Sequence, residues 1–308
     1  MASMTLAEFI KRTRDELVAG VAWEILTTNP IWNIFPWVPY AGSGVTVNRE
    51  TTESDSEHLD IGDTITAKNP MVVTPALFRS TTTLGDAEIN DKFIQESMSD
   101  VNDVVAMEVA GKSKSVGRQL QNGMATGDGV APNMNSFHSL VDAGQYVTAG
   151  GTDVFADLDL LIDKVKSKDG YVDFIMCHGR DLRKIRAAYR ALGGVPMVEV
   201  NVGDRTIQMD SFESIPIFQN DWLSITEVAA GAALTGGALS SIYAGNWDDG
   251  TKKTGVAMIY PQAGESLGLD LEEIGAKEAK DERIYRVKSY SNFVIFNNLG
   301  AARLTDNA

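Results

Sequence analysis

Residues 45–84 read VTVNRETTESDSEHLDIGDTITAKNPMVVTPALFRSTTTL, and the fold of the chain turns on them. From Asn48 to His58 (NRETTESDSEH) there is no apolar side chain, and Glu50, Glu53, Asp55 and Glu57 crowd together. Beyond it, Ile61, Ile65, Val72, Val73, Leu77 and Phe78 restore short β-prone runs. A segment this poor in apolar surface does not recover the entropy of its own ordering. It lies between two regions patterned like folded protein and returns to β character. It therefore reads as an arm that orders against something else, and an arm implies partners.

The 308 residues suffice for a substantial core and one or two domains. Apolar residues make up 44%, which excludes wholesale disorder. A formal net charge of −15 argues against a protein whose task is to grip nucleic acid, which needs clustered Lys and Arg against phosphates. It suits a protein kept soluble at high concentration, or a surface that repels nucleic acid. Cys177 is the single cysteine, so no intramolecular disulfide framework exists and a reducing compartment is expected. Residues 1–17, MASMTLAEFIKRTRDEL, put charges where a secretory signal needs its apolar core. The most apolar long window, from Val228, lacks the Leu, Ile and Phe density of a membrane span. A soluble cytosolic chain without membrane contact is expected.

Thr5 and Glu8 have capping-box spacing ahead of Phe9, Ile10 and Leu17, predicting a short N-terminal helix. Pro30, Pro36 and Pro39 then forbid a continuous helix through a stretch carrying Trp23, Trp32, Phe35, Trp37 and Tyr40. That stretch reads either as an extended segment pinned on a larger body or as a cap on the chain's own core. After the arm, Phe93, Ile94, Met98, Val101, Val105 and Val109 recur at helical steps. They predict a helix from about Ala87 to about Gln121, a strut roughly 50 Å long. Acidic Asp86, Glu88 and Asp91 lie at its start, and Lys112, Lys114 and Arg118 near its end, as the helix dipole favours. A compact α/β region follows. Its expected parts are a helix through Phe155 and Val165, a strand at YVDFIMC, and a helix through Leu182, Ile185, Tyr189 and Leu192 closed by Gly193-Gly194. MVEVNVGDRTIQM reads as a hairpin turning at Gly203-Asp204, and SIPIF, SSIYAG and GVAMIY as strands. ERIYRVKSYSNFVIFNN alternates well enough for two strands that return to the strut.

Motifs for catalysis are missing. His58, His138 and His178 have no partners at metal-ligand spacing, and a structural role is expected for each. Cys177 and His178 adjoin at a strand end, where successive side chains point to opposite faces and cannot form a thiol dyad. Gly42-Ser43-Gly44 and Gly127-Asp128-Gly129 lack both the third glycine of a dinucleotide fingerprint and the Lys of a phosphate loop, so they read as turns. Asp157, Asp159 and Asp163 are placed on the solvated side of their helix. Arg183, Arg186 and Arg190 share one helical face. That face is a solvated surface, a nucleic-acid footprint, or a contact with acidic surface on a neighbouring copy. No catalytic residue, cofactor-binding residue or metal ligand is assigned.

The order of parts resembles the major capsid proteins of tailed bacteriophages, the Hong Kong 97-type capsid fold. The likeness spans nearly the whole chain but rests on no single specific motif. Residues 29–51, NPIWNIFPWVPYAGSGVTVNRET, look like an N-terminal arm entering the family's extended β-hairpin, the E-loop. Residues 84–110, LGDAEINDKFIQESMSDVNDVVAMEVA, are similar to the return into its spine helix. FHSLVDAGQYVTAGG resembles entry into the axial domain, and ERIYRVKSYSNFVIFNNLGAARL the closing strands of the peripheral domain. The resemblance implies an α+β fold with an N-terminal arm over residues 1–44 and an extended β-hairpin over residues 45–85. It implies a peripheral domain from residues 86–130 and 265–308 with its spine helix, and an axial α/β domain over residues 131–264.

It further implies a structural, non-enzymatic protein that self-assembles into pentamers and hexamers. These would build an icosahedral shell around packaged double-stranded DNA, put together in the host cytoplasm and carried in the virion. Portal and decoration proteins are the implied partners. The arm starts almost at Met1, so a separate scaffold protein or none is expected in place of a cleaved leader. Lys68 with Asn297 or Asn298 are residue types of the family's crosslink, but no accompanying glutamate matches and no crosslink is assigned. An encapsulin-like compartment around a cargo enzyme is the alternative, followed by a cytosolic α/β enzyme.

Overall fold

The computed structural model describes residues 35–92, 101–151, 153–167, 170–202, 205–262, 269–278 and 280–307. The predicted N-terminal helix, Trp23 and Trp32, the first turns of the predicted strut (Phe93, Ile94, Met98) and the turn at Gly203-Asp204 lie outside these residues.

Phe35 to Tyr40 is the pinned segment that the prolines require. Its strand β1 (Trp37–Tyr40) runs parallel to β11 (Val256–Pro261), and Phe35 is buried against Phe137, Trp247 and Phe293. Next comes the hairpin of β2 (Val45–Thr52) and β3 (Val72–Phe78), a two-stranded sheet of its own. β4 (Thr81–Asn90) replaces the expected beginning of the strut. It pairs antiparallel with β13 (Glu282–Ile295) over ten positions, from Thr81 opposite Ser291 to Asn90 opposite Glu282. The reason is local: three consecutive threonines favour extended backbone, and Ala87 and Ile89 bury themselves at two-residue spacing. Asp86 and Glu88 alternate with them on the other face. Asp86 takes both Arg286 Nε and Nη2 at 2.7 Å and Glu88 pairs with Lys277, so these acids are cross-strand partners rather than helix-start residues.

The strut itself is α1 (Val101–Thr126), about 39 Å long at 1.5 Å per residue. Val109, Val116, Leu120 and Met124 form its buried stripe, and the helix packs on β4 and β13. It runs past Gln121 and through Asn122-Gly123. No basic residue falls in its last turn, so the expected dipole pairing at the C-terminus does not occur.

β1, β11, β13 and β12 (Leu269–Ala276) lie side by side, and β4 also pairs with β13 to give a five-stranded sheet. β13 is one strand of 14 residues, where two were expected. Its first part pairs with β4 and β12, and its last four residues with β11. A seven-stranded sheet orders β5 (Tyr146–Thr148), β14 (Ala301–Asn307), β10 (Ser240–Gly245), β6 (Phe174–Cys177), β9 (Ile215–Gln219), β8 (Arg205–Phe212) and β7 (Met197–Val202). A short α2 (Phe137–Leu140) precedes it, capped by Ser136.

The sheets divide the chain differently from the expected segments. Val256–Pro261 belongs to the five-stranded sheet, between β1 and β13, and Ala301–Asn307 to the seven-stranded one, between β5 and β10. Neither assignment shows in sequence, because a strand's sheet is chosen by a remote partner.

α3 (Val154–Lys166) and α4 (Gly179–Leu192) cover one face of the seven-stranded sheet. Leu158, Leu161, Ile162, Leu182 and Ile185 meet Ile175, Cys177, Ile217, Ile242 and Leu304 there. On the other face Phe174, Met176, Phe218 and Tyr243 join Phe137, Phe293 and the α1 stripe in the main core. Two helix-face expectations change. Asp157 is buried, its Oδ1 accepting the Gly150 N–H at 2.8 Å, while Asp159 and Asp163 are exposed as expected. Leu192, read as part of the apolar face, is exposed.

One buried ion pair ties the long loop before β10 to β14. Arg303, wholly buried, donates from Nη2 to Glu227 Oε2 at 2.9 Å and from Nε to Ser241 Oγ at 2.9 Å. Its guanidinium lies 5.1 Å from the Tyr146 ring and 5.8 Å from that of Tyr243. A half-buried imidazole, His138, feels this cation. Burial and then Arg303 push its pKa down to about 4, and its Nδ1 is buried without a hydrogen-bond partner.

Removing one member of the buried pair strands the other charge. Glu227→Ala is expected to cost on the order of 3–5 kcal/mol in denaturant unfolding, and Glu227→Leu combined with Arg303→Met clearly less. For His138 the folded state binds fewer protons than the unfolded state between about pH 4 and 6.5. Stability is therefore complete above that window and falls as pH drops through it. His138→Phe is expected to flatten the pH dependence of Tm across this range.

Candidate assembly surface

The hairpin is anchored only at its root. Val45 and Phe78 face each other in the ladder and are buried with Val38, Tyr40, Ala257, Ile259, Val294 and Phe296. Gly44 lets the chain enter here, since a Cβ at that position would sit 2.5 Å from the Phe78 carbonyl oxygen. Arg49 pins the next turn of the ladder. Its Nε donates to the Phe296 carbonyl at 3.2 Å, its Nη2 donates to the Ile295 carbonyl, and the guanidinium stands 5.1 Å from the centre of the Phe78 ring. Burial lowers the Arg49 pKa from its ordinary value, partly countered by Asp142.

Past Arg49 the hairpin leaves the body of the chain. Leu59, Ile61, Ile65, Met71, Val72, Val73 and Leu77 are all exposed, and Ile61 at the apex is 103% exposed. A two-stranded hairpin is at best marginally stable in water, and this one holds most of its large apolar side chains in solvent.

Two of the crowded acidic residues, Asp55 and Glu57, have a local use. Glu57 accepts the Thr66 N–H, the Thr66 hydroxyl at 2.5 Å and the Ala67 N–H at 3.1 Å. Asp55 accepts from the Asn69 amide, and the Asp55 N–H donates to the Asn69 carbonyl at 3.3 Å. At the apex Asp60 and Asp63 bracket Gly62, whose φ of 99° closes the turn, with Asp60 Oδ1 accepting the Ile61 N–H at 2.7 Å. The tip is thus bound to itself while its apolar side chains point outward.

A groove of about 770 Å³ opens at the root, between β2 and the loops at Thr251–Lys253 and Phe296–Leu299. Leu192 and Met197, next to the outer edge of the seven-stranded sheet, form a second exposed apolar place.

Other residues picked from the sequence fall into supporting roles. Arg186 is paired within the chain, its Nε 2.8 Å from Asp210 Oδ2, so it cannot serve freely as a contact to another copy. Arg183 and Arg190 remain exposed on the same helix. Cys177 is fully buried and its thiol is pushed up by burial. His178 caps α4, its Nδ1 accepting the Arg180 N–H at 3.0 Å. The two do not form a dyad. His58 and Lys68 are exposed on the hairpin loop, and the Asn297 side chain accepts the Leu299 N–H at 3.0 Å. Asp128 accepts the Val130 N–H at 3.0 Å, as expected of a turn. Among the described residues no group of three or more His, Cys, Asp or Glu could hold a metal ion, and no helix is long and apolar enough to cross a membrane.

A long hairpin, a strut helix, a five-stranded and a seven-stranded sheet together define a Hong Kong 97-type capsid fold, and solved structures carry it nearly end to end. The chain matches the holo-SrpI encapsulin complex from Synechococcus elongatus PCC 7942 at 15% identity and TM-score 0.67, over 90% of this chain and 86% of that one. It matches the capsid of a native GTA particle at 12% identity and TM-score 0.60, over 92% and 90%. A virus-like particle from Pyrococcus furiosus matches at 10% identity and TM-score 0.56, over 96% and 98%. No family model and no curated protein matches the chain.

The hydrogen bonds from Thr66 and Ala67 hold the Glu57 carboxyl below the ordinary glutamate range. A depressed carboxylate pKa means that the tip is fully ordered above the ordinary value and loosens as pH falls through the lowered one. Hydrogen exchange should show the Thr66 and Ala67 amides losing protection on that descent. Glu57→Gln should lower their protection already at neutral pH.

Proposed function

We propose that this chain is a major capsid protein of the tailed-phage type, which assembles through pentamers and hexamers into an icosahedral shell around double-stranded DNA. The observation that carries the reading is the hairpin: it is rooted firmly, bound to itself at the tip, and apolar where its own subunit offers no cover. Laid on neighbouring subunits, it supplies burial that the monomer lacks. In this reading the five-stranded sheet with α1 is the peripheral domain, and the seven-stranded sheet with α3 and α4 is the axial domain around the five- and six-fold axes. The arm expected over residues 1–44 is confined in this reading to the part before Phe35, since Trp37–Tyr40 belongs to the chain's own five-stranded sheet. The role is structural rather than enzymatic, and the place of action is the virion, after assembly in the host cytoplasm.

Net acidity fits the same function. A shell interior that repels phosphates leaves packaged DNA mobile, because non-specific binding to it is weak. DNA is thus an enclosed partner without sequence-specific contacts, while portal, decoration and separate scaffold proteins are the expected protein partners. A compartment shell enclosing a cargo enzyme is the second reading, favoured by the TM-score of 0.67 to an encapsulin against 0.60 to the GTA capsid.

Negative-stain images of the purified chain should show closed particles tens of nanometres across; a discrete small oligomer would sink both shell readings. Particles made in the native host separate the two: nuclease-protected double-stranded DNA favours the phage, and a co-purifying enzyme the compartment. Replacing residues 53–71 by a short turn, which keeps Arg49 and Phe78 at the root, is expected to leave a folded subunit that forms no shells. Normal particles from that variant would show that the hairpin is not the assembly element.

A further inference from the structure

We propose that the solvent face of α1 beside Trp222 binds a single-stranded nucleic acid. One base stacks on the indole ring, and the flanking phosphates lie on Lys114 and Arg118. The site goes beyond the shell reading and does not rest on it. It is an open pocket of about 230 Å³, walled by the α1 face from Gly111 to Asn122 and by Trp222. Such a pocket takes one planar base rather than a folded partner.

Charge is the first observation. In a chain of net charge −15, the stretch from Val109 to Gly127 carries no carboxylate. Lys114 and Arg118 are exposed, and their four-residue spacing puts them on one helix face. Arg118 has no carboxylate within ion-pair distance among the described residues. Lys112 lies beside Gly85 of β4 instead. Asp221, next to Trp222 in the chain, directs its oxygens to Gln219 Nε2 and the Gly179 N–H. The acidic remainder of the surface keeps long-range attraction small, so binding here depends on contact.

Trp222 is the second. It is 38% exposed and nonetheless fixed. Its Nε1 donates to Oε1 of the buried Gln121 at 2.9 Å, and its backbone N–H donates to Asn220 Oδ1 at 3.1 Å. Leu223, the next residue, is buried in the main core. An indole held rigidly at the surface is a stacking platform, and it tolerates any base because every base has a π-face.

The third is Gly111, exposed in the interior of α1. Glycine there weakens a helix relative to alanine. A Cβ at this position would meet nothing within 4 Å, so packing among the described residues does not require the glycine. Its missing side chain leaves a flat floor on which a planar ring approaches the helix backbone.

The fourth is the pair of amides, Gln119 and Asn122, along the same face. Asn122 Oδ1 accepts the Thr126 hydroxyl at 3.0 Å, which leaves its N–H groups turned to donate. Side-chain amides hold donors and an acceptor and so match the edge of a base. Stacking and edge contacts both need a base out of its stack, which a single strand offers and a duplex does not.

The test is the fluorescence anisotropy of a 5′-labelled oligothymidine, titrated with full-length subunits separated from any particles by size exclusion. Trp222→Ala should weaken binding about 5- to 150-fold, and Trp222→Phe, which keeps a ring, far less. Arg118→Gln should make the slope of log K against log salt shallower by about 0.7. Gly111→Leu should abolish binding with Tm unchanged or raised, because the new side chain fills the floor without a clash in the chain. Absence of binding by the parent, or parent-like binding by Gly111→Leu, would overturn the proposal. A hairpin duplex of equal charge that binds as tightly would do the same, since it offers phosphates without open bases. Arg190→Gln, on exposed α4, is the charge control: a loss equal to that of Arg118→Gln would show diffuse attraction and no site. Competition by thymidine monophosphate at the oligonucleotide's own concentration would make the ligand a free nucleotide, and competition by oligoglutamate an acidic peptide. Either result rejects the single strand.

Discussion

A two-stranded hairpin whose apolar side chains face water cannot carry its own stability, and the structure is arranged around that constraint. Everything within the subunit serves the root: Gly44 for entry, Val45 and Phe78 in the core, and Arg49 clamped to two carbonyls. Everything at the tip serves shape, with Asp55, Glu57 and Asp60 tying the loop to itself. Between root and tip Met71, Val72, Val73 and Leu77 stay exposed. Each apolar residue left there is worth about 1.5–3 kcal/mol once covered, which sets the scale on which a neighbour can contribute.

The body behind the hairpin is built to be stiff. The seven-stranded sheet is covered on one face by α3 and α4 and on the other by the aromatic cluster around Phe137, Phe174 and Phe293. The loop before β10 is held by a charge pair sealed from water. Such a pair contributes little net stability over an apolar substitute but penalises any arrangement that separates its members. It fixes the position of the loop more than it strengthens the fold.

Much of this was legible in sequence, and the failures share a cause. The arm, the pinned proline segment, both helices of the α/β region and the strands at Phe174, Ile215, Ser240 and Val256 follow from local pattern. Residues 87–90 read as the start of a helix because DAEIND carries both a helix-start acid pattern and a strand alternation, and only Arg286 and Lys277, some two hundred positions away, decide between them. The length of β13 and the sheet joined by β14 depend likewise on remote partners. Arg303 and Glu227 gave no signal, since a buried ion pair is spelled with the same letters as an exposed one. The groove at the hairpin root assembles residues from three separate segments and has no sequence signature.

From Glu282 to Asn307 the chain passes through both sheets with only a short turn at Asn298–Gly300 between them. Arg49 grips the carbonyls of Ile295 and Phe296, just before that turn. A pull on the hairpin is therefore delivered at the joint of the two sheets. From there it runs lengthwise into β13 on one side and β14 on the other. Loaded along their axes, strands share force over many hydrogen bonds at once, whereas peeling breaks them singly. The C-terminal ribbon thus acts as a tie rod, converting tension on the hairpin into shear within the chain.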